Sequence, residues 1–198
     1  MNDRKKIIFL DIDGVLNGYN YINITLFSFF NKIGKLKWIK QKIDIFGIHR
    51  RKVILLHWIV KLTGAKVVMS SSWRGYFWKV PFDQKDIRQK RLESMLNRYH
   101  IEVIDITPTS PDHNRGNEII TWLARHENEV ESFVILDDER CDLEILGDRL
   151  VLTSALKPGQ IITGKSFENT GLHIWHVFKA VHILNKERLR KNYGSNHH

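Results

Sequence analysis

Asp11 and Asp13 stand one residue apart, directly after the apolar run Ile7-Ile8-Phe9-Leu10 and directly before Gly14-Val15-Leu16-Asn17. Two carboxylates so close cannot both stay ionised cheaply. A cation held between them, or a proton shared during a reaction, resolves the conflict. Gly14 suits a turn where backbone approaches a ligand closely. Alone, Asp-x-Asp-Gly reads equally well as a strand that ends in a polar turn. Two more apolar runs end the same way, however. Val67-Val68-Met69 leads into Ser70-Ser71-Ser72, and Phe133-Val134-Ile135-Leu136 leads into Asp137-Asp138. Four carboxylates and a hydroxyl cluster brought to one edge would be strongly unfavourable without a cation. Donors that are all oxygen point to a hard ion, Mg²⁺ before any transition metal.

Those runs are short and rich in Ile, Val and Phe, as buried strands are. Two further strand candidates are Ile101-Glu102-Val103-Ile104-Asp105-Ile106 and Arg149-Leu150-Val151-Leu152-Thr153. Helical spacing of apolar residues predicts helices from Arg51 to Leu62, from Arg88 to Tyr99, from Glu118 to Arg125 and from Ile174 to Arg190. Strands that alternate with helices build a parallel sheet. The expected fold is therefore α/β, a doubly wound, parallel, five-stranded Rossmann-like sheet. Ligands of such sheets bind outside the carboxyl ends of the strands, where all three donor groups fall.

A chain of 198 residues is most simply one domain, 1–198. Residues 18–50 fit a small cap insertion after the first strand. Lys32, Lys35, Lys37, Lys40, Lys42, His49, Arg50, Arg51 and Lys52 make this the most basic part of the chain. It reads equally well as a solvated helix face or as a substrate-facing patch. Residues 158–171, with three glycines, are expected to be irregular or a hairpin, and 186–198 a flexible basic and polar tail. A net charge of +9 favours phosphorylated substrates or polyanionic partners. Cys141 is the one cysteine, which excludes a disulfide framework and a cysteine-rich zinc site. Met1 to Lys6 runs into a strand that carries Asp11, so it is not expected to be a secretory leader. No apolar stretch approaches membrane-spanning length, and the cytoplasm is the expected compartment. No stable protein partner is predicted.

With Asp11-Ile12-Asp13-Gly14-Val15, Val67-Val68-Met69-Ser70 and Val134-Ile135-Leu136-Asp137-Asp138 in this order, the chain resembles the haloacid dehalogenase-like (HAD) phosphohydrolase superfamily. Arg115, in Arg115-Gly116-Asn117, stands where that superfamily carries a basic residue. The runs from Thr63 to Arg74 and Thr170-Gly171-Leu172 look like a branch that includes HAD modules associated with RNA repair. The resemblance implies a Mg²⁺-dependent phosphomonoesterase with an aspartyl-phosphate intermediate. Asp11 would be the nucleophile, and Asp13 the acid that protonates the leaving oxygen and then activates water. Ser70, with Ser71 as fallback, would bond a phosphoryl oxygen, and Arg115 would neutralise charge. Asp11, Asp13 and either Asp137 or Asp138 would hold the metal, with Gly14, Ser71 and Arg74 on the substrate side. The basic charge favours a nucleotide, as for a nucleotidase, or a nucleic-acid phosphate end as substrate. The rival expectation is a catalytically silent HAD fold that binds nucleic acid or serves as a scaffold. Every motif position is filled, which argues against it.

Four residues invite chemistry but carry a plainer reading. Cys141 is expected to be a small packed side chain. His173 and His176 have a ligand-like spacing but no evident third partner. Trp73 is as apt for a core as for a site.

Overall fold

A computed structural model of the chain describes residues 4–17, 32, 47–77, 80–153 and 171–194. The expected cap falls outside them except for Lys32 and residues 47–50, and most of 158–171 does also.

The described strands are β1 (Lys5–Leu10), β2 (Lys66–Met69), β3 (Val103–Ile106), β4 (Val130–Asp137) and β5 (Leu150–Leu152). They form one all-parallel sheet in the order β3-β2-β1-β4-β5. The principal helices are α1 (Arg50–Thr63), α2 (Ile87–Arg98), α3 (Arg115–Arg125) and α4 (Ile174–Gly194). This is the doubly wound α/β arrangement that the alternating pattern predicts.

Successive side chains of a strand point to opposite faces, and both faces of this sheet are covered. Ile8 and Leu10 of β1 pack with Val53, Leu56 and Ile59 of α1, Leu92 and Leu96 of α2, and Ala180 and Leu184 of α4. Ile7 and Phe9 pack on the other side with Ile119 and Trp122 of α3 and with Leu143. The Phe9 ring meets those of Trp122 and Phe133 edge-on, at centroid distances of 5.4 and 5.8 Å. Burial on both faces is why the strands read as unbroken apolar runs rather than as alternation.

Three local features depart from expectation. First, α3 begins at Arg115 rather than Glu118, because the Asn114 side chain accepts a hydrogen bond from the Asn117 N–H and caps the helix there. Second, α4 continues to Gly194 through residues expected to be tail. Lys, Glu, Arg and Leu, which compose most of that stretch, are good helix formers. Third, Cys141 is exposed rather than packed. It opens a 3₁₀ segment, Cys141–Arg149, in which Leu143 is the buried residue. No described helix is long and apolar enough to cross a membrane.

Candidate functional site

The parallel ladder runs one residue past the strand ends, which aligns the donors at the carboxyl edge. The Asp11 N–H donates to the Leu136 carbonyl (3.0 Å), the Ser70 N–H to Leu10 (2.9 Å) and the Thr153 N–H to Asp137 (2.8 Å). The chain order reverses between β1 and β4, the position where open α/β sheets form a ligand crevice. Asp11 stands on one side of that reversal, and Asp137 and Asp138 on the other.

Oxygens of Asp11, Asp137 and Asp138 lie within 4.8 Å of one another. Among the described residues no other trio of His, Cys, Asp or Glu has ligand atoms so close. Asp11 is 3% exposed and Asp137 fully buried. Arg115 is the cation that answers them: its Nη1 donates to Asp137 Oδ2 at 2.5 Å and lies 3.4 Å from Asp11 Oδ1. A positive charge in the first turn opposes the helix dipole. The carboxylates, not the helix, therefore favour Arg115 there. They also hold its guanidinium above the ordinary range, although burial works the other way.

Burial pushes the Asp11 carboxyl up to about 7, and Asp137 and Asp138 reinforce the rise, while Arg115 and the Ser71 hydroxyl oppose it. Asp138 is pushed up to about 6 by burial and then by Asp137 and Glu139. Asp137 is also raised, burial again outweighing Arg115. A carboxylate cluster so poorly compensated, with only oxygen donors, could hold a divalent cation.

Gly14 has φ +68°, and a Cβ there would overlap the Asp138 carboxylate. Glycine is thus required both by conformation and by the approach of β4 to the β1 turn. The turn is pinned from several sides. Thr153 Oγ1 donates to the Gly14 carbonyl (2.9 Å), the Leu172 N–H to Val15 (3.0 Å), and Lys52 Nζ to Asn17 (3.1 Å). Asn17 accepts from the Gly14 N–H at 2.8 Å and donates through Nδ2 to Asp13 Oδ1 at 2.6 Å. Trp73 Nε1 donates to the other oxygen, Asp13 Oδ2, at 3.0 Å. Asp13 itself is exposed, so its carboxylate is oriented but open to solvent.

Ser70 is 1% exposed, and its Oγ is the one buried side-chain polar atom without a hydrogen-bond partner among the described residues. Leaving such a hydroxyl unpaired costs about 1–3 kcal/mol. Ser71 has partners in Asp11 and the Trp73 N–H.

Arg74 meets protein groups rather than open space. Its two terminal nitrogens grip Glu118 at 2.6 and 2.7 Å and donate to Thr107 Oγ1 and Thr109 Oγ1. Glu118 is 2% exposed, so a charge on each partner is satisfied by the other. These contacts make Arg74 a strut that ties the loop after β2 to α3.

Asn17, Thr153 and Glu118 belong to the surroundings of the site, although sequence reading singled out none of them. Thr153 had a signal, since it ends its strand as Ser70 and Asp137 end theirs. Glu118 had a weaker one: an acid four residues before Trp122, on the apolar face of an amphipathic helix.

The raised carboxylates give a pH prediction for the protein in chelator. Between about pH 4 and pH 7 the folded protein keeps a proton at Asp11 that the unfolded chain releases near its ordinary value of 3.8. Stability therefore falls as pH rises through that window and levels off above about 7. Thermal unfolding of wild type against Asp11→Asn isolates this group. The variant should gain roughly 3 kcal/mol on wild type between pH 4 and pH 7.5. A constant difference across that range would contradict the assignment.

A family model described as the HAD domain in Swiss Army Knife RNA repair proteins matches residues 7–157. No curated protein matches the chain, and no solved structure does.

Proposed function

This chain belongs to the HAD domain family of Swiss Army Knife RNA repair proteins, with the phosphohydrolase-like function of that superfamily, and from this premise we propose a cytoplasmic, Mg²⁺-dependent phosphomonoesterase. The observation that carries the reading is the cluster of Asp11, Asp137 and Asp138 around the single guanidinium of Arg115. Such a cluster favours a hard cation and an anionic ligand that accepts positive charge.

Asp11 attacks the phosphorus of the substrate, a P–O bond to its carboxylate forms, and the bond to the leaving oxygen breaks. Asp13 gives its proton to that leaving oxygen and becomes a carboxylate. It then takes a proton from water as the water oxygen attacks phosphorus, the Asp11–phosphorus bond breaks, and inorganic phosphate departs. Arg115 neutralises charge between the Asp11 carboxylate and the transferring group. Ser70 Oγ donates to a phosphoryl oxygen, which satisfies the hydroxyl that the protein leaves unpaired. Asp11, Asp138 and the Asp13 backbone would hold Mg²⁺, with Asp137 oriented by Arg115 and by the Glu139 N–H at 2.9 Å. When bound, Mg²⁺ supplies positive charge to the phosphoryl oxygens.

The substrate we propose is a nucleotide or the phosphorylated end of a nucleic acid. The family description, of RNA repair proteins, and the charge of +9 support that choice. Phosphate release should be assayed with and without Mg²⁺ on mononucleotides, 3′- and 5′-phosphorylated oligonucleotides and small sugar phosphates. Turnover that needs Mg²⁺ and favours the oligonucleotides is the expected result. Faster turnover of sugar phosphates would remove the nucleic-acid part of the reading, and no turnover of any substrate would remove the whole.

Ser70→Ala separates catalysis from folding. Loss of a donor used only by the ligand should lower kcat by about 10²–10³-fold. The melting temperature should stay level or rise, because an unpaired buried hydroxyl is removed. A drop in melting temperature with kcat retained would assign Ser70 to the core instead.

A further inference from the structure

We propose that Trp73 is a positioning residue for proton transfer by Asp13, an inference that rests on the phosphomonoesterase reading above. The Asp13 carboxylate lies in solvent, where a short acidic side chain samples several rotamers. Two donors restrict it. Asn17 Nδ2 reaches Oδ1 at 2.6 Å and Trp73 Nε1 reaches Oδ2 at 3.0 Å, one donor for each oxygen. Both donors are themselves anchored. Asn17 is buried, and its side-chain oxygen accepts from the Gly14 N–H. The Trp73 ring packs against the main core, and its N–H faces Asp13 from the loop that follows β2, the strand that leads into Ser70. Indole N–H donates only, so this contact directs a carboxylate oxygen and cannot exchange protons with it.

The consequence falls on one chemical event. As the P–O bond to the leaving group breaks, electrons pass to the leaving oxygen and the Asp13 proton follows them, so negative charge appears on the Asp13 carboxylate. Trp73 Nε1 is already hydrogen-bonded to one of its oxygens and supports that charge where it develops.

Leaving-group dependence tests this, because a substrate that departs as a stable anion needs little help from an acid. In Trp73→Phe an aromatic ring is kept at the core edge and the N–H is lost. kcat/KM, which includes leaving-group departure, should be measured over a series of aryl phosphates and one alkyl phosphate. The expected loss is about 10- to 100-fold for the alkyl ester, the size of a hydrogen bond to a charged group, and under about threefold for 4-nitrophenyl phosphate, where little proton transfer is required. In an Asp13→Asn background the same Trp73→Phe change should add no leaving-group sensitivity. An equal loss across the series, or an additive loss in the double variant, would overturn the proposal and leave the phosphatase reading intact. Wild type that releases phosphate from none of the esters would overturn both. A variant with a lowered melting temperature but the graded loss still supports the assignment, since a general packing defect would not follow leaving-group basicity.

Discussion

Asp11→Asn is expected to lower phosphate release by at least about 10⁴-fold, the scale on which loss of a catalytic nucleophile is read. The substitution keeps the shape of the side chain at a position only 3% exposed, so no cavity forms. It removes the atom that attacks phosphorus, because an amide does not form the acyl phosphate. It also removes a negative charge that the fold holds at a disadvantage, its carboxyl being pushed up to about 7 by burial and by Asp137 and Asp138. The inactive variant should thus be as stable as wild type near neutral pH, or more so. Activity and stability move apart, which a folding defect cannot imitate. Rapid quenching of wild type with a labelled ester should trap phosphate on the protein, and the variant should trap none. If Asp11→Asn keeps a tenth of the wild-type rate, the covalent route is wrong and a directly attacking water takes its place.

The layout of the sheet was readable because its strands are buried on both faces. Ile7 to Leu10 and Val134 to Leu136 are fully apolar runs with an abrupt polar exit, and in a parallel α/β sheet all such exits share one edge. Asp11, Ser70, Asp137 and Asp138 could therefore be grouped without knowledge of the fold. The same rule extended to β5 would have found Thr153. Contacts across long stretches of chain were not readable. Trp73 reaches Asp13 and Arg74 reaches Glu118 from remote positions, and no periodicity encodes either pair. Arg74 looked free because sequence shows a charge but not the carboxylate that will meet it. The 3₁₀ segment Cys141–Arg149 escaped for a local reason: it lacks the 3.6-residue period, and its backbone kinks at Leu146. Its approach to α3 needs Gly116, where a Cβ would overlap the Asp142 carbonyl. A glycine directly after Arg115 thus reflects packing behind the site.

Arg115→Ala should be the most damaging of these changes to the fold, and its damage should depend on pH. The guanidinium is bonded to Asp137 and paired with Asp11, both buried, so its removal leaves carboxylates without their cation. Breaking a buried pair costs about 3–5 kcal/mol. The low end, roughly 3 kcal/mol, applies here because the arginine side chain is 24% exposed. Without Arg115 the positive charge that lowers Asp11 and Asp137 is gone, and both carboxyls are pushed up further. Near pH 4 the folded variant carries these groups protonated and loses little. Wild type itself holds the Asp11 proton up to about pH 7, so the two proteins part above that value: wild type sheds the proton, while the variant must ionise the group uncompensated or hold a proton that the unfolded chain has shed. The stability gap from wild type should therefore widen as pH rises above about 7 in chelator. Mg²⁺ should narrow the gap, since a ligand that binds only the folded state stabilises it by mass action. Activity should not recover with it, because the charge between the Asp11 carboxylate and the phosphoryl group stays unanswered, a loss of about 10²–10³-fold. Arg115→Lys should fall between the two: it keeps the charge, but the lysine must bring its ammonium to the place where Nη1 of the rigid, planar guanidinium now meets both carboxylates. A gap in melting temperature that is the same at pH 6 and pH 9 would mean that Arg115 supports the fold through packing, and that the three acids have another counter-charge.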